Sequence, residues 1–177
     1  TSAMSAVINN AALIKKVYMP KYLFVISRVF SSFINLLASF TALLVVMIAT
    51  RAELHWKVVF AVIPLGFIVV FSLGVGLLLS ALVVKFRDIM HLYSVFITAL
   101  LYLTPVIYPM SSLPYWMQKV VGLNPITNIL MMFRDVMLYD NFPNLSSILI
   151  ATIESLTALG IGVYVFYKKQ DEFILNI

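Results

Sequence analysis

The chain has 177 residues, 63% of them hydrophobic and 11% charged, with a formal net charge of +5. A soluble domain carries roughly a quarter of its residues charged, so this composition excludes a water-solvated surface and leaves the bilayer as solvent for one transmembrane domain over 1–177. The 12 Lys and Arg are scattered between apolar stretches instead of forming a basic stripe, which excludes nucleic acid as a partner, and the absence of cysteine excludes disulfides, thiolate zinc sites and cysteine nucleophiles.

Spans of about 20 apolar residues are the signature of membrane-crossing helices. The first candidate, 1–13, is only a half-span; it begins at Thr1 without the pattern of a signal peptide, and an upstream part of the chain is expected. A short basic turn follows, NNAALIKKVYMPK over 9–21, in which Leu13, Lys15, Lys16, Val17, Tyr18 and Met19 lead to Pro20. Two readings stand side by side: an ordinary loop carrying topogenic lysines, or a rigid amphipathic element docking on a soluble partner, apolar side chains filling a groove while charges set register.

The first full span covers 22–50, with Asn35, Ser39 and Thr41 suited to helix packing in membranes, and the second covers 58–84, where Gly74, Gly76 and Ser80 serve the same purpose. The link 85–91, KFRDIMH, joins it to a third span at 92–108; its Arg87 and Asp88 are too close to face each other on one helix and are expected to meet helix ends or a partner chain. His91 lacks a second ligand at helical spacing and no metal site is expected.

Between 108 and 146 the chain is apolar but broken by Pro109, Pro114, Gly122, Pro125 and Pro143, which predicts short helices dipping into the membrane between the last two spans. Around it cluster Tyr102, Tyr108, Tyr115, Trp116, Asn124 and Arg134. Rings at a membrane boundary are commonly an interfacial belt; the alternative is a sugar-stacking surface of flat apolar faces with replaceable polar edges. Arg134 has two expected uses, an anionic head group or a pairing with Asp135 or Asp140. The last span, 146–167, contains Glu154, an acid within apolar surroundings and therefore a functional candidate by default.

The positive charges orient the whole. Lys15, Lys16, Lys21, Arg28, Lys85, Arg87, Lys168 and Lys169 lie in one alternating set of connections, and Arg51, Lys57, Lys119 and Arg134 in the other. The larger set is expected to be cytoplasmic, with the C-terminal tail. No GxxxxGK[ST] loop, HExxH or GxSxG occurs, so neither ATP chemistry nor catalysis is expected in this chain and no catalytic residue is assigned.

The order Asn9–Asn10 through Lys15-Lys16-Val17-Tyr18-Met19-Pro20, then Phe86-Arg87-Asp88-Ile89 with His91, then Tyr102-Leu-Thr-Pro-Val-Ile-Tyr-Pro109, then Leu123-Asn124-Pro125 followed by Arg134 resembles the polysaccharide-export branch of the ABC-2 permeases. Met19 and Lys21 stand where Phe and Arg are commoner. The resemblance implies an all-α polytopic bundle, six spans, a homodimer, two separate cytosolic ATPase subunits that bind Mg-ATP, and re-entrant outer helices. It assigns Leu13 to Pro20, with Arg87 and Asp88, to ATPase coupling. It places the outer aromatics, Asn124, Arg134 and Glu154 along a path or gate for a lipid-linked glycan such as O-antigen, teichoic acid or capsule precursor in a bacterial inner membrane. The alternatives are an ABC-2 permease for a small drug or lipid, an ATP-independent carrier using Glu154, and a membrane enzyme, for which the scattered acids give no converging geometry.

Overall fold

The computed structural model describes residues 3–6, 20–51, 55–86 and 88–170. Among them every regular element is helical: α1 (Tyr22–Ala49), a 3-10 turn (Trp56–Ala61) running into α2 (Val62–Lys85), α3 (Ile89–Leu103), a short turn (Met110–Ser112), α4 (Tyr115–Gly122), α5 (Pro125–Met137) and α6 (Leu145–Lys169). Three of these helices are long and apolar enough to cross a membrane: Tyr22–Ala49, Trp56–Lys85 and Leu145–Lys169. The chain is therefore a multi-pass membrane protein. Pro64 sits two residues into α2, at its junction with the 3-10 turn, and the helix continues through it to Lys85.

The expected third span is shorter than its apolar run. α3 stops at Leu103, and its 15 residues rise about 22 Å, well short of a hydrocarbon core about 30 Å thick. The cause is Pro105: its ring disfavours helical backbone in the preceding residue, and Thr104 adopts φ −84, ψ 128. Residues 104–108 belong to the broken segment instead.

α2 and α6 form the most intimate helix pair. A Cβ added at Gly162 would lie 2.1 Å from the Gly74 carbonyl oxygen, and one at Gly74 would lie 2.4 Å from the Ala158 backbone, so the two main chains touch directly. Without a hydrophobic force between helices in lipid, such close van der Waals approach is the main source of association. Ser155 Oγ adds a hydrogen bond to the Phe67 carbonyl at 3.3 Å.

Three apolar clusters knit the rest. At the end carrying Pro20, Lys85 and Lys169, the buried residues Ala6, Val25, Leu77, Ala81, Val84 and Phe166 join α1, α2 and α6. At the opposite end, Met47, Ala61, Val136 and Met137 tie α1 and the 3-10 turn to α5. Ile129, Met132 and Ala151 join α5 to α6. Ser80 is buried and bonded to the Leu77 carbonyl at 2.9 Å, as its packing role requires. Asn35, Ser39 and Thr41 differ from expectation. They are exposed on the outer face of α1, the hydroxyls of Ser39 and Thr41 returning to the carbonyls four residues back. The stripe of α1 packed on α2 is instead the one holding Val25 and Val29.

Candidate functional site

The broken segment is held as a frame of side chains bonded to main-chain groups. Asn124 is its corner. The backbone φ −80, ψ 118 at Asn124 and the proline that follows start α5: the side-chain Oδ1 accepts from Ile126 N at 3.1 Å, and Pro125 takes the first helical position, which needs no N–H. The other end of the same amide, Nδ2, donates to Thr104 Oγ1 at 3.0 Å in a buried pocket. The end of α3 and the start of α5 are thereby fixed together. Thr127, in the first turn of α5 and 2% exposed, has a hydroxyl without a partner.

Tyr108 turns back on α3. Its hydroxyl donates to the Tyr102 carbonyl at 2.8 Å and lies 3.3 Å from that of Leu103, satisfying carbonyls that the helix end leaves open. Arg134, from the last turn of α5, donates through Nη2 to the Val106 carbonyl at 2.7 Å. Neither expected carboxylate is its partner. Asp140 Oδ2 lies 3.1 Å from Lys57 Nζ, which also donates to the Asp140 carbonyl at 2.7 Å, and burial alone pushes the Asp135 carboxyl above its ordinary range. Pairing Asp140 with Lys57 joins the 3-10 turn to the α5–α6 loop, beside a cluster of Trp56, Phe60 and Phe142 rings whose centroids are 5.4–5.9 Å apart.

Glu154, deep in α6, accepts from Asn128 Nδ2 on α5 at 3.4 Å. Sequence reasoning missed Asn128; its signal was an amide at the third position after Pro125, on the side of α5 that also carries Met132. The aromatic rings behave differently from the polar frame. Tyr102 is 70%, Tyr115 73% and Trp116 65% exposed, and among the described residues only Lys119 stands over one of them, 4.7 Å from the Tyr115 centroid. The fold brings Thr104, Asn124, Tyr108 and Arg134 into one frame and leaves Tyr115 and Trp116 facing outward on α4.

Most of the second expected group lies outside the described residues: Leu13, Lys15, Lys16, Val17, Tyr18, Met19 and Arg87. Its described members, Pro20 and Asp88, are exposed at the start of α1 and of α3. Next to Pro20, Lys21, read in the sequence only as a topogenic charge and a departure from the commoner Arg, donates through Nζ to the Gln170 carbonyl at the C-cap of α6. A cation is favoured at a helix C-terminus, where carbonyls lack partners.

Comparison with known proteins gives this arrangement a family. The O-antigen export system permease protein RfbA of Myxococcus xanthus is 25% identical over 175 residues, covering 98% of this chain and 67% of that protein. Two Klebsiella pneumoniae proteins of the same name are 25% and 26% identical over the same share. The model of the ABC-2 type transporter family matches residues 8–138, from the basic turn through α5. The chain belongs to the ABC-2 type transporter family.

Proposed function

We propose that the chain is the membrane subunit of an ATP-binding-cassette exporter that moves a lipid-linked polysaccharide, of the O-antigen or teichoic acid class, across a bacterial cytoplasmic membrane. It works as a homodimer, and two separate cytosolic ATPase subunits bind and hydrolyse Mg-ATP. What supports this above other transport readings is the similarity to O-antigen export permeases over 98% of the chain. Exposed Tyr115 and Trp116 offer stacking faces on α4, beside the segment held by the Asn124–Thr104 and Arg134–Val106 hydrogen bonds.

In this reading the end with Pro20, Lys85 and Lys169 faces the cytoplasm, where the turn ending at Pro20 sits on the ATPase. The broken helices α4 and α5 re-enter the outer face. The chain performs no covalent chemistry. Its residues position: Asn124 and Arg134 hold the outer strap, the rings receive the glycan by weak stacking that permits sliding, and Glu154 is spent on Asn128.

The test is copurification followed by ATPase assay. The tagged full-length chain is expected to bring down an ATPase subunit whose hydrolysis rises several-fold on adding purified lipid-linked O-polysaccharide and not on adding a small lipophilic drug. Stimulation by the drug alone would replace this reading with that of a drug or lipid permease. A preparation without any ATPase subunit would sink both.

A further inference from the structure

We infer that α6 is the rod that carries movement from the turn ending at Pro20 to the broken segment, with Lys21 as the positioning residue at one end and the Asn128–Glu154 pair at the other. This rests on the reading that the turn docks on an ATPase. Lys21 directly follows Pro20, is part-buried, and donates to the Gln170 carbonyl, the C-cap of α6. That carbonyl is one that a helix end leaves unpaired, at the negative pole of the helix dipole, where a cation is favoured. Any displacement of the turn therefore pulls on the last turn of α6.

Along its length α6 cannot slide independently of α2. Gly162 presses on the Gly74 backbone, and Ser155 holds the Phe67 carbonyl. About 24 Å of helix separates Gln170 from Glu154. At Glu154 the rod meets α5, through the Asn128 amide at 3.4 Å and the packing of Ile129 and Met132 on Ala151. From α5 the connection passes through Asn124 to Thr104 at the end of α3. Each step is a packed or hydrogen-bonded contact, and packed helices move between discrete arrangements as bodies instead of deforming gradually. Among the helices that link the two ends, α3 alone buries no residue of its own.

The test uses the full-length chain with its ATPase partner in lipid nanodiscs. Residues 1–177 contain no cysteine; with any cysteine elsewhere in the transporter replaced, one introduced at exposed Leu123 carries a spin label, and the two copies in one transporter report one distance across the outer face. In the wild type, ATP is expected to change that distance. Lys21→Met should lose the change while the ATPase stays bound and hydrolyses ATP, and Lys21→Arg should restore it. Asn128→Leu, with the Lys21 end intact, should lose the change as well and lower the glycan moved per ATP. A change of wild-type size in both Lys21→Met and Asn128→Leu overturns the inference, as does a wild type that shows no change with ATPase bound. If Lys21→Met fails to assemble, Asn128→Leu decides alone. Absence of a bound ATPase from the wild type is a different failure, and it removes the docking reading together with the inference.

Discussion

Asn124 uses both ends of one amide, accepting from Ile126 N at 3.1 Å and donating to Thr104 Oγ1 at 3.0 Å, so that a helix start and a helix end share a single side chain. Removing it costs twice: the helix cap, worth about 1 kcal/mol, and the buried Thr104 hydroxyl left unpaired, worth about 1–3 kcal/mol. Asn124→Ala should therefore melt well below the wild type in detergent. Thr104→Val keeps the cap and should lose less. A Thr104→Val variant as unstable as Asn124→Ala would mean that the cap contributes nothing measurable.

At the α2–α6 contact, Gly162→Ala places a methyl 2.1 Å from the Gly74 carbonyl oxygen. The helices must separate, and overpacking of this kind costs about 1–3 kcal/mol. Gly160→Ala, on the same helix with nothing within 4 Å of its added Cβ, should be neutral or stabilising by up to about 1 kcal/mol. Thermal scans of the two purified variants check this; equal melting temperatures would refute the contact.

For Arg134, the bond to the Val106 carbonyl at 2.7 Å sets the expectation. Arg134→Met should loosen the segment from Thr104 to Pro114 and make it more sensitive to protease added from the outer side, with a fall in export. Arg134→Lys, which keeps a donor, should protect the segment in part. Normal protection with lost export in Arg134→Met would instead assign the side chain to the glycan.

Tyr115→Ala and Trp116→Ala remove rings that are 73% and 65% exposed. Their effect on stability should stay within about 0.5 kcal/mol, as for surface substitutions generally. Export of the glycan, read as polymer reaching the cell surface, should nevertheless fall several-fold. Export at the wild-type rate in both would leave the rings as an interfacial belt.

Glu154→Gln retains an oxygen able to accept from Asn128, so export should be near normal, whereas Glu154→Leu should impair it. A carrier coupled to ions or protons through this carboxylate predicts the reverse for Gln: full loss of transport. Measuring export from cells carrying each variant separates the two.

The sequence by itself determined the solvent, the fold class and the family. Apolar runs at 22–50, 58–84 and 146–167 must be helical, because in hydrocarbon every backbone group has to bond within its own segment. The family was equally legible, because it is carried by local strings between Asn9 and Arg134, the stretch over which the family model matches. Local reading also marked the prolines that break 108–146, yet it carried the third span five residues past Leu103, since apolar content continues where Pro105 has already ended the helix. Partnership was what tertiary structure decided. Nothing in the residues near Arg134 distinguishes the Val106 carbonyl from Asp135 or Asp140, and nothing around Lys21 announces Gln170, far along the chain. Which stripe of α1 meets α2, and which glycines let α2 and α6 touch, depends on how whole helices lie against one another. Helical spacing lists the faces available, and only packing chooses among them.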